Sequence, residues 1–376
     1  MRHTAPESGT RVVLLVGTQK GLFRLESDPH RETWHMDGPL IAGYEITHAW
    51  LDPRCPGRGY AAANHLIWGA HVYRTDDGGH HWEPLPRPPM HPVGEHETAL
   101  RAVWHLAPGP LDSPDTVHAG IDPAGLFVST DAGNHWVGVD ALNHHPTREQ
   151  WEPAKGGFFV HSIQAPTDRP QRLFAAVSAG GAYRSDDAGA SWQPINRGVR
   201  AEHLPTEYPR AGHNIHRLVA HPRNSDRLYR QCYNGVYRSD DAGDSWTEIS
   251  AGLPSDFGYV AVTERDAPDS LYVIPIDSSH LRTAVDGRLR VYRTGDAGAS
   301  WQPLTDGLPQ EHAYVTVLRD AMAVDDLPEC GVYFGTSSGH LFGSRNHGGN
   351  WRQLAAFLPR ILSVQAQVVV PTEDAP

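Results

Sequence analysis

Cysteine, lysine and methionine are scarce in this chain of 376 residues. It contains three cysteines, four methionines and two lysines, Lys20 and Lys155. The cysteines stand far apart and form no CxxC pair, so the sequence offers no disulfide framework. We interpret them as small buried residues of a protein from a reducing compartment.

Long apolar runs and clusters of positive charge are also missing. The longest apolar run near the start covers residues 12–16, far less than the roughly 18 residues of a membrane span or a signal-peptide core. The formal net charge is −12, and no Lys/Arg cluster offers an electrostatic footprint for nucleic acid. We therefore expect a cytoplasmic globular protein, a monomer or weak homo-oligomer, that binds neither nucleic acid nor membranes.

A short motif recurs along the chain. YRSDDAGASW at residues 183–192 returns as YRSDDAGDSW at 237–246, and six copies of a small-x-Asp-x-Gly-x-x-Trp pattern are present, the last with Asn346 in place of Asp. The spacing of about 50 residues is typical of one four-stranded propeller blade with long loops. Asp and Gly suit the turn between the third and fourth strands. We therefore expect the motif to act as a structural staple, that is, to stabilise this turn by local hydrogen bonds. The six tryptophans are Trp82, Trp136, Trp192, Trp246, Trp301 and Trp351.

The two ends of the chain supply a further blade, because β-rich segments remain there without a complete motif. Pairing the last strand with the first three closes the ring and removes its open edges. The sequence thus predicts an all-β protein, one seven-bladed β-propeller domain. The predicted blades 1 to 6 cover 43–88, 99–143, 158–198, 213–253, 258–308 and 313–359, and blade 7 combines 10–39 with 360–371.

The motif, for example SDDAGASW, resembles the Asp-box or BNR repeat of sialidase-like and sortilin-like β-propellers, which are often labelled glycosyl hydrolases. This resemblance implies the fold; because the box is structural in such families, it implies no particular activity. Sialidases carry an Arg-Ile-Pro element on the first blade, whereas here GLFRLESD places Leu25 and Glu26 after Arg24. We therefore do not expect sialidase chemistry.

The innermost strands carry a second pattern. They read ITHAWLDP, AVWHLAPGP, FVHSIQAP and NIHRLVAHP, with one histidine each at a similar axial height. Imidazole is a ligand for Fe, Cu, Zn or Mn, and the main hypothesis is a metal-dependent enzyme with a divalent transition metal on the axis, acting on a small organic or glycosidic substrate. Alternatively, the histidines fill the channel and bond water or each other. They are His48, His105, His161 and His216.

Long loops lead into blades two, three and four, and blade five holds the insertion IDSSHLRTAVDGRLR, residues 276–290. Long loops on one face are usual around sites, so candidates are taken from them and from the adjoining strands. The candidate catalytic residues are Glu97, Tyr259, Tyr314 and Asp277. The candidate substrate-binding residues are Arg101, His65, Trp104, His280, Arg282 and Arg288.

Two other functions stay open. A metal-free glycoside hydrolase or lyase needs a carboxylate pair, with Glu95, Glu97, Glu152, Glu207 and Asp277 available. A non-catalytic binding or assembly scaffold needs none. In the metal hypothesis a carboxylate orients some of the histidine rings, for which the candidates are Glu45, Glu95 and Glu97.

Overall fold

The chain is a ring of small antiparallel sheets. The computed structural model describes residues 9–94, 99–153, 157–202 and 204–370. Within these residues, 28 strands form seven four-stranded sheets. Helix is limited to α1 (Asp140–Asn143) and two 3-10 turns, Arg148–Gln150 and Val285–Gly287. No helix in the described ranges has the length and apolarity to cross a membrane.

The strands are numbered in chain order, starting in the blade that contains the N-terminal segment. It holds β1 (Arg11–Thr18), β2 (Gly21–Ser27) and β3 (Trp34–Leu40). Blade 1 holds β4 (Glu45–Leu51), β5 (Gly59–His65), β6 (Gly69–Thr75) and β7 (Glu83–Pro84). Blade 2 holds β8 (Ala102–Pro108), β9 (Val117–Asp122), β10 (Gly125–Ser129) and β11 (Val137–Gly138). Blade 3 holds β12 (Val160–Gln164), β13 (Leu173–Val177), β14 (Gly181–Ser185) and β15 (Gln193–Pro194).

The second half of the ring repeats the same order. Blade 4 holds β16 (Ile215–His221), β17 (Asn224–Cys232), β18 (Val236–Ser239) and β19 (Thr247–Glu248). Blade 5 holds β20 (Gly258–Val262), β21 (Leu271–Pro275), β22 (Val291–Thr294) and β23 (Gln302–Leu304). Blade 6 holds β24 (Met322–Val324), β25 (Val332–Gly335), β26 (Leu341–Ser344) and β27 (Arg352–Ala355). The last strand is β28 (Ile361–Val369).

The last strand closes the ring. β28 pairs antiparallel with β1, from Arg11 opposite Val369 to Thr18 opposite Ile361, which gives the sheet order β28-β1-β2-β3. The innermost strands β4, β8, β12, β16, β20, β24 and β28 each contact the next around the axis. The predicted all-β, seven-bladed propeller with this closure is therefore confirmed.

The apolar and polar residues of each blade are distributed according to the burial of its strands. Middle strands such as β13, LFAAV, and β21, LYVIP, are buried throughout, since neighbouring blades cover both faces; such positions favour continuous apolar runs over alternation. Six of the seven outermost strands are short, as in β15, which spans two residues; β3 of the closing blade spans seven. Short outer strands limit edge-to-edge pairing.

The repeated motif forms a hydrogen-bonded turn. In blade 3, the Ser185 hydroxyl donates to Asp187 at 2.8 Å, and Asp187 accepts the Ser191 amide at 2.8 Å. Gly189 has a φ of 93°, a conformation that favours glycine, and its carbonyl accepts the indole N–H of buried Trp192 at 3.2 Å. These contacts fit the predicted staple role, and they lie between the third and fourth strands, at the face opposite the loops that enter the inner strands.

Blade six differs from the sequence expectation. The run AYVTV was expected to be its innermost strand, but β24 begins later, at Met322. The earlier residues instead hold the blade-five insertion: the Ala284 amide donates to the Val315 carbonyl at 3.0 Å, and the Thr316 hydroxyl donates to the Arg282 carbonyl. The apolar run therefore anchors a neighbouring loop.

Candidate functional site

Five of the seven inner strands turn a polar side chain toward the axis at a local irregularity. The pairing of β4, β8, β12, β16 and β20 with the next strand shifts register within two or three residues of the axial position. Such bulges redirect a side chain and are frequent beside functional sites. The axial residues so placed are His48, His105, His161, His216 and Tyr259.

The centre of the axis is filled by a buried polar cluster. The rings of His48 and His105 lie 4.2 Å apart between centroids, and the His105 Nε2 is 3.7 Å from the Asp320 Oδ1. Arg217 of β16 forms an ion pair with Asp320. The Gln365 amide donates to the His48 Nε2 at 3.3 Å. We call these five residues the axial cluster.

The other two axial histidines are held elsewhere. The His216 Nδ1 donates to the Gly258 carbonyl at 2.6 Å, and the ring packs against Tyr259 at 4.7 Å between centroids. The His161 Nδ1 is hydrogen-bonded to the Ser162 hydroxyl at 2.8 Å. Around the axis, the described residues whose ligand atoms lie within 4.8 Å of one another are His48, His105 and Asp320. The four-histidine metal site is therefore not supported.

Burial keeps these imidazoles neutral. It lowers the pKa of His48 from 6.5 to about 4 and that of His216 to about 3, and it holds the pKa values of His105 and His161 well below 6.5. Two neutral imidazoles and one carboxylate are a possible ligand set, but Arg217 already binds that carboxylate. A transition metal as cofactor stays a prediction, limited to this smaller group.

The axial cluster separates two cavities. The lower pocket, about 290 Å³, lies among the ends of the inner strands and includes His48, His105 and Arg217. The upper pocket, about 260 Å³, opens on the face where the inner strands begin. Asp320 belongs to its lining, so the Arg217–Asp320 pair spans the boundary between the two. The upper pocket is lined by Glu45, Thr47, Trp104, Tyr259, Arg282, Leu318, Arg319, Asp320, Arg360 and Leu362.

Aromatic rings fix the wall of the upper pocket. Trp104 stacks on Phe159 with 3.6 Å between ring centroids and planes 10° apart. The Arg319 guanidinium lies 5.2 Å from the Phe159 centroid and 5.3 Å from that of Tyr259. Stacking of this kind restrains the rings and the guanidinium together. The pocket is thus a preorganised space with aromatic, acidic and basic groups.

The upper pocket gathers some of the predicted residues. Trp104, Tyr259 and Arg282 line it, and so does Glu45, which was expected to orient a histidine but lies exposed at the start of β4. Tyr314 is 68% exposed in the loop before β24. Its predicted place on an inner strand is wrong, because that loop supports the blade-five insertion.

The remaining candidates lie outside the lining of the upper pocket, as far as the described residues show. Arg101 is bound to Asp122 through its Nε at 2.8 Å. The His65 Nδ1 accepts the Ile67 amide at 3.0 Å in the β5–β6 turn. Glu95 and Glu97 fall outside the described residues. Three further candidates are exposed on the blade-five insertion: Asp277, His280 and Arg288.

Sequence reasoning missed Asp320, Arg319, Arg360 and Arg217. A signal for Asp320 was present: it stands 31 residues before Trp351, as His105 stands before Trp136. Counting back from the motif tryptophan would therefore have placed Asp320, not Tyr314, at the axial position of blade six. The Val364 amide of β28 fixes it there by donating to the Asp320 carbonyl at 2.8 Å.

The curated proteins most relevant for comparison are xyloglucanases, to which this chain is similar in sequence. No family model matches the chain. A xyloglucanase from Paenibacillus sp. is 27% identical over 196 residues, which is 50% of this chain and 18% of that enzyme. The chain thus spans less than a fifth of that relative. The similarity is to xyloglucanases, and the resemblance to sialidase-like repeats stays a prediction.

Solved structures share the architecture. An ancestral GH74 enzyme superposes with a TM-score of 0.54 at 16% identity, over 85% of this chain and 38% of that one. YCF48 bound to D1 peptide gives a TM-score of 0.54 at 15% identity, over 94% of this chain and 86% of that one. At such identities these likenesses show the fold alone. The chain is a seven-bladed β-propeller with sequence similarity to glycoside hydrolases of the xyloglucanase type.

Proposed function

We propose that the chain is a metal-free glycoside hydrolase whose site is the upper pocket. The observation that carries this proposal is that one cavity of about 260 Å³ is lined by two carboxylates, Glu45 and Asp320, and two aromatic side chains, Trp104 and Tyr259. Glycoside hydrolysis requires a pair of carboxylic side chains, and aromatic faces suit a sugar ring. The sequence similarity to xyloglucanases supports a carbohydrate substrate.

The two carboxylates differ in ways that suit different roles. Asp320 is 3% exposed and is held by Arg217 at the floor of the pocket, so it is the fixed carboxylate that acts on the anomeric carbon or on the attacking water. Glu45 is exposed where β4 begins and is placed to protonate the leaving group. Both steps use protein carboxylates, so the proposed reaction needs no metal ion.

The test is the release of reducing ends from xyloglucan and mixed-linkage glucan by protein treated with EDTA. We expect Glu45→Gln to lower the rate about 10²–10⁴-fold, the usual contribution of general acid–base catalysis, with unchanged thermal stability because Glu45 is exposed. The matched control is Glu152→Gln, which changes an exposed loop residue outside the upper-pocket lining. Equal rates for Glu45→Gln and the unaltered protein, or no turnover of any glycan, would overturn the proposal.

A second candidate function is protein binding. The β5–β6 turn on the same face exposes three consecutive apolar residues, Leu66, Ile67 and Trp68, at 102%, 75% and 68%. Exposed apolar patches frequently mark interaction sites. YCF48, which carries a D1 peptide in its solved structure, matches this chain over most of both lengths. A scaffold would lose peptide binding in Trp68→Ser and show no glycan turnover, whereas a hydrolase keeps its turnover in the Glu152→Gln control.

A further inference from the structure

Three arginines from three consecutive blades meet at the upper pocket. Arg282 comes from the blade-five insertion between β21 and β22, Arg319 stands shortly before β24, and Arg360 directly precedes β28. Their side chains line the same cavity although they are up to 78 residues apart in the chain. The fold therefore concentrates positive charge at the mouth of one pocket in a protein whose net charge is −12.

In the part of the chain that the structure describes, neither Arg282, Arg319 nor Arg360 forms an ion pair, whereas Arg290 of the same insertion pairs with Asp286 at 3.1 Å. The Asp320 carboxylate is already taken by Arg217. Glu45 is the other acidic group among the described residues of the lining, so these residues bring three arginines against two carboxylates.

Arg319 provides the strongest sign that a ligand anion completes the site. Its guanidinium is held near two aromatic rings, and its Nε is covered from solvent without a hydrogen-bond partner among the described residues. Burial lowers the pKa of Arg319 and the Arg282 charge acts in the same direction, whereas Tyr259 and the Asp320 charge raise it; arginine stays protonated in proteins. A covered Nε–H without a hydrogen-bond partner among the described residues is costly, and the planar guanidinium fork matches a carboxylate.

The other lining residues and the cavity volume limit the chemical class and the size of the ligand. Trp104, Leu318 and Leu362 give the cavity apolar walls beside the arginines. A volume of about 260 Å³ lies just below the range of roughly 300–1,000 Å³ that is usual for ligand pockets, which suits one sugar ring. We propose that the upper pocket binds the hexuronic-acid residue of an acidic glycan, with its carboxylate held by Arg282, Arg319 and Arg360. The assignment of a glycan as the ligand rests on the proposed hydrolase function, for which it names a substrate class. Binding of the anion itself does not depend on catalytic turnover.

The experiment is isothermal titration of the full chain with D-glucuronate, D-glucose and D-glucose 6-phosphate. We expect glucuronate to bind at least tenfold more tightly than glucose, and its affinity to fall as NaCl rises from 20 to 500 mM because salt screens the charges. Binding no tighter than that of glucose would overturn the proposal. Tighter binding of the phosphate ester would contradict the assignment of a carboxylate.

Variants locate the anion. Arg360→Gln changes an exposed side chain and should weaken glucuronate binding at least tenfold without affecting glucose. Arg288→Gln is the matched control, since Arg288 is exposed on the blade-five insertion but does not line the pocket; an equal loss in both variants would contradict the site. Because the titrations involve no turnover, they can fail while Glu45→Gln still abolishes hydrolysis of a glycan, so the two proposals fail separately.

Discussion

Acidification tests the buried histidines. Burial lowers the pKa of His48 and His118 from 6.5 to about 4 and that of His216 to about 3. Below pH 6.5 the unfolded chain therefore binds protons that the folded chain does not. Since the free energy of unfolding rises with pH wherever the unfolded state binds more protons, stability is full above about pH 6.5 and is lost as the pH falls toward 4.

The size of the effect follows from linkage. Consider a histidine whose pKa is 6.5 in the unfolded chain and about 4 in the folded chain. At pH 5 it lowers the free energy of unfolding by about 2 kcal/mol. Three such residues sum to about 6 kcal/mol, and relaxation and water entry around a protonated ring reduce this sum. We therefore expect the free energy of unfolding to fall by at least about 3 kcal/mol between pH 7 and pH 5, a large part of the usual total.

The assay is equilibrium unfolding in urea at pH 7, 6 and 5. His118, 4% exposed on β9, supplies the test variant: His118→Asn should lower the slope of unfolding free energy against pH near pH 5 by about 1.2 kcal/mol per unit. His80→Asn, which changes an exposed histidine, is the control and should leave the slope unaltered. A stability that is flat from pH 7 to pH 5 would refute the reasoning.

Three further predictions address the staple, the axial ion pair and the metal. Trp192→Ala removes a buried ring and should cost about 3–5 kcal/mol of stability in thermal unfolding; a change below 1 kcal/mol would contradict its packing role. Arg217→Met leaves the buried Asp320 carboxylate unpaired and should cost about 3–5 kcal/mol, most of it recovered in the double variant with Asp320→Leu; no recovery would argue against the pair. His161→Ala should keep its glycan turnover in EDTA, since His161 lies outside the smaller ligand group; loss of turnover reversed by added Zn²⁺ or Fe²⁺ would restore the metal hypothesis.

The fold could be predicted from the sequence because the blade motif repeats along the chain. Six of the seven blades carry the same turn, formed by Ser185, Asp187 and Trp192 in blade 3, and its contacts are local in the chain. The closing strand was also readable, because an apolar segment at each end of the chain needs a partner. The histidines were placed correctly on the inner strands for the same reason: they keep their spacing from a recurring turn.

The candidate site could be predicted only in part, because it depends on contacts between residues of different blades. Arg217 and Asp320 are 103 residues apart, and neither residue type recurs at the equivalent position of another blade. The His216 ring faces Tyr259 because it is hydrogen-bonded to the Gly258 carbonyl in the next blade. No sequence pattern within one blade specifies this contact between blades. In blade six an apolar run was mistaken for the inner strand, since its role in anchoring the insertion is a tertiary one.

The most direct test of the central claim is the initial rate of glycan hydrolysis by EDTA-treated protein, compared between the unaltered chain and Glu45→Gln. We expect turnover without metal that falls by at least 100-fold in the variant, consistent with loss of a general acid. Turnover that survives the substitution, or that appears only when a transition metal is added, would contradict it.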